Sequence, residues 1–366
     1  MNKEYVVKLF ACIPPPLYGG VTVYSKRLAL NLCKHGYPSG AFYTNDLVGV
    51  PQEFSYLFDR MLKHAHSIYV LPELLELYRI CKPYKLIHTH LSLRTILCMW
   101  IIHKVQRKPL VITIHNEMIE KELSGLNALD RFCVKSLFRD KTVQIICVSN
   151  KAKELLEEKF CTIANNIKVI PAYIKPVEIG EVSDYLSDTL IRFIDSHPRY
   201  IVYYAESFAY NNGIEIYGTK DCIEAFVNIK KIYPDLSLVF CMPNVNDENK
   251  LNQLKAVIAN NHIEQSVYWQ IGAITEMWPL LKKAVAYLRT TSTDGDSVLL
   301  REALGLGVPC LASDANKRPE GCAVYKYGDS SDLIMQLKSI ISSANRPSPS
   351  NKDYFKDVLD VYLSLI

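Results

Sequence analysis

The chain has 366 residues, 49% of them hydrophobic and 22% charged, the proportions of a folded globular protein and not of a disordered one. At roughly 100–200 residues per domain this length suggests about two domains, and the longest apolar run, 96–102, is far short of the ~20 residues a membrane span needs. The net charge of +4 is uneven: residues 1–175 carry 24 Lys+Arg against 14 Asp+Glu (+10) and the remainder 18 against 24 (−6), which points to an anionic partner for the first half.

Met1-Asn2-Lys3-Glu4 leads straight into an apolar run without a small-residue cleavage pattern, so no signal peptide is expected. Residues 6–13 read as a buried strand and Pro14-Pro15-Pro16-Leu17-Tyr18-Gly19-Gly20 as a loop. Residues 21–35 have helical spacing, with Val21, Tyr24, Leu28 and Leu32 on one stripe and Gly36 as the stop. Strands are expected at 85–90, 110–115 and 142–149, and helices at 93–106, 119–138 and 151–160. This alternation predicts a parallel, doubly wound sheet. Prolines and glycine mark 171–181 as a linker, and the pattern then restarts. Strands are expected at 200–205, 236–242, 267–271, 284–289 and 309–313, and helices at 220–232, 250–260 and 297–306. Residues 342–350 form a second linker. Beyond it Tyr354, Phe355, Val358, Leu359, Tyr362, Leu365 and Ile366 make one apolar helical face, to be docked on the second domain or back on the first.

Eleven cysteines are scattered without a Cys-x-x-Cys pair, mostly inside apolar runs. They read as buried, reduced thiols in a cytosolic protein and not as a disulfide frame or zinc site.

Three places carry candidate chemistry. Gly19-Gly20 lies between a strand and a helix, where backbone can approach an anion closely, although the dinucleotide-binding glycine pattern is absent. His88, His90 and His115 fall at strand ends, which line the ligand crevice of doubly wound sheets. His88 reads equally as a core histidine, with its side chain expected opposite to that of His90. Metal binding lacks carboxylate or cysteine partners at suitable spacing. The densest signal runs from Arg289 to Pro309. There a strand ends, Asp294-Gly295-Asp296 forms a polar loop, Ser297 caps a helix, and Glu302 sits inside that otherwise apolar helix. A buried carboxylate needs partners, such as the hydroxyls of a ribose or a nearby arginine.

Asp294 and Glu302, eight positions apart and followed by Gly307-x-Pro309, resemble the Glu-x7-Glu segment of the retaining glycosyltransferases of family GT4, with Asp for the first Glu. Thr293-Asp294-Gly295-Asp296-Ser297 with Arg318-Pro319-Glu320-Gly321 resembles a subgroup among bacterial polysaccharide enzymes. Gly19-Gly20, Ile87-His88-Thr89-His90, Thr113-Ile114-His115, Cys147-Val148-Ser149 and Asp221-Cys222-Ile223-Glu224-Ala225-Phe226 resemble further family segments in matching order, so the resemblance spans most of the chain.

The resemblance implies an α/β protein of the GT-B fold, with two Rossmann-like domains facing across a cleft. These would be residues 1–175 for the acceptor and 176–350 for the nucleotide sugar, with a helix at 351–366 returning to the first domain. It implies that Glu302 binds the donor ribose and Asp294 the transferred sugar. Gly295, Asp296, Ser297, Val298 and Leu299 would meet the sugar or phosphates, and Gly19 and Gly20 the diphosphate. His115 would lie near the reacting sugar and His90 on the acceptor side. It implies a UDP- or GDP-sugar as co-substrate and no catalytic metal. Lipid-linked or glycan acceptors would be met at the inner face of the cytoplasmic membrane, in lipopolysaccharide or capsule synthesis. Nucleic-acid binding is not expected.

One departure matters. The family's arginine after the first second-domain strand and its lysine before a glycine are replaced by Glu206-Ser207 and by Tyr217. Arg289, Lys220 and Arg318 are candidate substitutes. Otherwise the donor is held differently, or the chain is a non-catalytic or partner-dependent binding subunit. A nucleotide-sugar epimerase is a further alternative. Arg131, Lys135, Arg139 and Lys141, on or near a helix with Phe132, Val134, Leu137 and Phe138, suit either an anionic membrane surface or an ordinary solvated face.

Overall fold

The computed structural model describes residues 5–10, 20–37, 39–43, 58–60, 75, 78–90, 96–115, 124–160, 166–178, 180–294, 296–343, 348–349 and 352–366. Two compact units emerge, Met1–Glu178 with Asp353–Ile366 and Ile179–Lys352.

The first unit is built on seven parallel strands: β1 (Tyr5–Phe10), β2 (Ser39–Tyr43), β3 (Phe58–Arg60), β4 (Tyr84–Thr89), β5 (Leu110–Ile114), β6 (Val143–Cys147) and β7 (Ile167–Val169). Their order is β3-β2-β1-β4-β5-β6-β7. The order reverses direction at β1, so the switch point lies between the ends of β1 and β4. Side chains alternate across the sheet. Ile87, Ile112, Ile114 and Ile145 face one core with α2 (Ile96–Gln106), α3 (Ala128–Phe138) and α4 (Asn150–Phe160). His88, also buried, turns to the other side, where α1 (Gly20–Lys34) and the last helix lie.

The helix expected over 119–138 is interrupted. Gly125 lies in a turn, and Asn127 caps a new start by accepting from the Asp130 amide at 2.9 Å. Residues 116–123 lie outside the described set, as do 11–19 at the end of the first expected strand.

The second unit adds α5 (Asp188–Ser196), β8 (Tyr200–Tyr204), a hairpin of β9 (Tyr210–Asn211) and β10 (Ile214–Glu215), α6 (Thr219–Ile232), β11 (Ser237–Met242), α7 (Glu248–Asn260) and β12 (Val267–Ile271). It continues with α8 (Trp278–Lys283), β13 (Ala286–Arg289), α9 (Val298–Gly305), β14 (Cys310–Ser313), β15 (Ala323–Tyr325) and α10 (Ser330–Ser342). Its parallel sheet runs β12-β11-β8-β13-β14-β15, with the switch point between β8 and β13. Strand alternation again divides the core. Tyr203, Leu238, Phe240 and Leu288 pack with α6, α7 and α10, whereas Tyr200, Val202, Val239 and Tyr287 pack with α5, α8 and α9.

Sequence reading missed α5, α8, α10, β15 and the hairpin. Ser187, whose Oγ accepts from the Leu190 amide, and the Asn212-Gly213 turn with both φ positive were the available local signals.

The last helix, α11 (Phe355–Leu363), belongs to the first unit. It buries Tyr354, Phe355, Val358, Val361 and Tyr362, each worth about 1.5–3 kcal/mol. Leu365 is only part-buried and Ile366 is exposed, because the chain leaves the helix at Leu363 and the expected stripe ends there. The nine described cysteines are free thiols; Cys33 and Cys322 are half-buried and the others buried.

Candidate functional site

In the second unit, the β8–β13 switch point gathers a charged network. Arg289, the last residue of β13, holds Asp294 with two hydrogen bonds, Nε to Oδ2 at 2.5 Å and Nη2 to Oδ1 at 2.8 Å. Arg318 reaches the same carboxylate at 2.9 Å. Burial pushes the Asp294 carboxyl up, but the Arg289 and Arg318 charges and hydrogen bonds outweigh it and hold the group below the ordinary aspartate value. The trio keeps one net positive charge.

Arg318 is further fixed by Ser313 O at 2.7 Å, Ser313 Oγ at 2.9 Å and Thr291 Oγ1 at 3.0 Å, which leaves its side chain 3% exposed. It is a strut of this loop. Asn316 Nδ2 donates to Asp294 O at 2.6 Å and braces the loop from the other side. Asp296 accepts from Arg301 Nε at 2.6 Å.

Ser297 caps α9, accepting from the Leu300 amide at 3.3 Å. The amides of Val298 and Leu299 are first-turn groups that lack intrahelical partners by geometry. They make that helix end a place for negative charge. Glu302, about one turn into α9, is 2% exposed. Lys220 is solvent-facing and pairs with Glu224 at 3.6 Å. Gly295 and Gly19 lie outside the described residues, and Gly20 begins α1.

The two positions that depart from the family pattern meet each other. Tyr217 donates its hydroxyl to Glu206 Oε2 at 3.3 Å, and the Arg289 guanidinium carbon lies 5.9 Å from the Tyr217 ring centroid. The next residue, Gly218, has φ +64, and a Cβ there would stand 2.3 Å from Thr290 O. Thr290 Oγ1 donates to the carbonyls of Tyr217 (2.7 Å) and Gly218 (2.9 Å), so β13 and the start of α6 are pressed together where only glycine fits. Glu215 Oε1 accepts from the Thr219 amide at 3.1 Å, which places a carboxylate at the N-terminus of α6.

In the first unit, three histidines cluster at the ends of β4 and β5. His90 Nδ1 lies 2.8 Å from His115 Nε2. His88 has both ring nitrogens occupied, by Tyr362 Oη at 2.5 Å and Thr113 Oγ1 at 2.7 Å. The His88 and His90 rings are 4.1 Å apart, on the same side of the strand. The expectation that they point oppositely is therefore corrected: residues two apart in a strand share a face. The Tyr24 ring meets His90 and His115 edge-on at 5.3 and 5.2 Å.

Burial lowers the basicity of all three histidines. It pushes His115 down to about 3, and neighbouring histidines add to the effect at His88 and His90. The rings are neutral at pH 7. The sequence reading placed Tyr24 and Tyr362 on apolar helical stripes and Thr113 in a strand but joined none of them to the histidines, because core packing alone explains an aromatic stripe and a strand threonine. Among the described residues, no group of three or more His, Cys, Asp or Glu is arranged to hold a metal ion, and no helix is long and apolar enough to cross a membrane.

Residues 18–176 match the family model described as Glycosyltransferase Family 4. No curated protein matches the chain. Among solved structures, the chain is similar to HepE from Anabaena in complex with UDP and glucose, at 13% identity and a TM-score of 0.67, covering 99% of this chain and 100% of that one. It is similar to the lipopolysaccharide outer core galactosyltransferase WaaB in its apo form, at 13% identity and a TM-score of 0.58, covering 99% and 100%. It is also similar to a putative UDP-N-acetylglucosamine 2-epimerase from Listeria monocytogenes, at 15% identity and a TM-score of 0.61, covering 100% and 96%. These likenesses establish a GT-B architecture of two Rossmann-like units. Residues 18–176 thus match the glycosyltransferase family 4 model, and the whole chain has the fold of its solved neighbours.

Proposed function

We propose that this glycosyltransferase moves a hexose-type sugar from a UDP- or GDP-sugar to a glycan or lipid-linked acceptor in cell-surface polysaccharide synthesis. In this reading the anomeric configuration is retained and no catalytic metal is required. The observation that carries the donor site is the β8–β13 switch point, where Asp294 and buried Glu302 flank the start of α9. UDP and glucose in the HepE complex support a uridine donor. The likeness to WaaB, a lipopolysaccharide outer core galactosyltransferase, supports a saccharide acceptor.

Glu302 takes the ribose hydroxyls and Asp294 the hydroxyls of the transferred sugar. Gly19, Gly20, Gly295, Asp296, Ser297, Val298 and Leu299 approach the diphosphate or sugar. Charge on the departing diphosphate is met by first-turn amides of α9 and by the net positive Arg289–Asp294–Arg318 trio. His115 stands by the reacting sugar and His90 by the acceptor.

A cytoplasmic location at the inner membrane face is part of the same reading. On α3, Val134, Leu137 and Phe138 are core, but Phe132 is 59% and Leu129 54% exposed. Arg131, Lys135 and Arg139 follow at four-residue intervals, all exposed, an arrangement that local like-charge repulsion disfavours and an anionic lipid surface would reward.

A partner-dependent binding subunit is the second reading, favoured by the Tyr217–Glu206 pair. The test is incubation of the protein with UDP- and GDP-hexoses followed by NMR of the products. Released or transferred sugar with retained configuration supports the transferase. An epimerised nucleotide sugar, or no turnover by bound donor, contradicts it.

A further inference from the structure

We propose that Glu206, anchored by Tyr217, determines which sugar the donor site of the second unit accepts. Its open carboxylate oxygen takes a hydroxyl or amino hydrogen of the transferred sugar, and its charge turns away a sugar that carries a carboxylate. The inference rests on the transferase reading and adds the class of the transferred sugar, a neutral or amino-substituted hexose. Glu206 stands two residues beyond β8, at the carboxyl end of a strand that borders the switch point. Its place is fixed twice. Its carbonyl accepts from the Asn244 amide at 3.0 Å, just beyond β11, and its Oε2 accepts from the Tyr217 hydroxyl at 3.3 Å. The residue is half-buried, and its Oε1 has no hydrogen-bond partner among the described residues. A ligand that displaces water there must supply a hydrogen.

The cations of the site are committed elsewhere. Arg289 is 8% exposed; its Nε and Nη2 go to Asp294 and its Nη1 donates to the Tyr287 hydroxyl at 3.4 Å. Arg318 is held by Asp294, Ser313 and Thr291, and Lys220 pairs with Glu224. Arg289, Arg318, Asp294 and Glu206 together carry no net charge, so what the site offers a ligand is a separation of charge. Tyr217 lies between the two signs, with the Arg289 guanidinium carbon 5.9 Å from its ring centroid and Glu206 at its hydroxyl. Burial pushes the Tyr204 and Tyr217 hydroxyls up, and the Glu206 charge is the next cause at both, while Arg289 acts on Tyr217 in the opposite sense. The end of β8 is therefore the negative side and the end of β13 the positive side.

A nucleotide sugar has the matching polarity. Its diphosphate is the anionic end and suits the Arg289 side and the first-turn amides of α9. Its sugar carries hydroxyl hydrogens and suits Glu206. A hexosamine offers an N–H in the same role. A hexuronate brings a second carboxylate beside the first. Neither carboxylate has a hydrogen to give, and the repulsion between them is stronger in a half-buried site than in water. Specificity of this kind comes from the element that repels the wrong ligand as much as from the contact made with the right one.

The test uses the full chain and measures dissociation constants by calorimetry for UDP-glucose against UDP-glucuronate and for GDP-mannose against GDP-mannuronate. The wild type is expected to bind the neutral sugar of one pair about tenfold more tightly than its uronate. Glu206→Gln, checked for a wild-type-like melting transition, is expected to narrow that ratio to about threefold or less, chiefly by binding the uronate more tightly. Glu206→Asp keeps the charge and is expected to keep most of the wild-type ratio. A wild type that binds the uronate as tightly as the neutral sugar, or an undiminished ratio in folded Glu206→Gln, overturns the role of Glu206 and leaves the transferase standing. A wild type that binds neither pair overturns the transferase reading and the role of Glu206 with it.

Discussion

Arg289 grips Asp294 by both carboxylate oxygens, at 2.5 and 2.8 Å, and Arg318 shares one of those oxygens at 2.9 Å. One carboxylate thus fixes two guanidinium groups at the end of the second-unit sheet. Removing one partner of a buried charge group strands the others, at a cost of roughly 3–5 kcal/mol. Asp294→Ala is therefore expected to lower stability by about that amount and to abolish sugar transfer. Asp294→Glu is expected to keep most of the stability while changing donor preference. Urea unfolding and donor turnover check both.

The histidine cluster makes acid stability a diagnostic. A histidine with a folded pKa below its unfolded value near 6.5 binds protons more readily in the unfolded chain. Its contribution is complete above pH 6.5 and is lost as the pH falls toward the folded value, about 3 for His115. Within that window each such histidine is expected to remove up to about 1.4 kcal/mol per pH unit. Unfolding free energies measured from pH 7 to 4 check this. His115→Asn is expected to flatten the slope.

Gly218→Ala is expected to destabilise the second unit by about 2 kcal/mol or more, since the added Cβ would meet Thr290 O at 2.3 Å and the residue holds φ +64. The exposed Gly213→Ala meets no atom within 4 Å, so its cost is that of the positive φ alone and is expected to be smaller. Paired thermal melts separate the two.

Vesicle sedimentation checks the α3 surface. Phe132→Ser with Lys135→Glu is expected to reduce binding to anionic phosphatidylglycerol vesicles several-fold without lowering the melting temperature, since both side chains face solvent. Equal binding by the double variant contradicts the membrane reading.

The doubly wound order was legible because its signals are local: alternation of apolar runs, the Gly36 stop and the Ser297 cap. The strand-end histidines and the Asp294–Glu302 spacing were legible for the same reason. What the sequence concealed depends on contacts between distant segments. Tyr362 reaches His88 across 274 positions, and Thr290 meets Gly218 across 72. Arg318 reads as a free cation until Ser313 and Thr291 are seen around it. The alternation rule itself places His88 and His90 on one face, so that expectation failed in its application and not for lack of signal.

The most direct test of the donor site is a thermal-shift panel of UDP-, GDP-, ADP-, CMP- and dTDP-sugars on the wild type and on Glu302→Ala, without metal and then with Mg²⁺. A ligand at about 100 times its dissociation constant stabilises the native state by roughly 2.7 kcal/mol. The expected result is stabilisation by one nucleotide family, independent of metal and lost in a folded Glu302→Ala protein. A flat response of the folded wild type, or an undiminished shift in Glu302→Ala, would contradict the assignment of the nucleotide-sugar site.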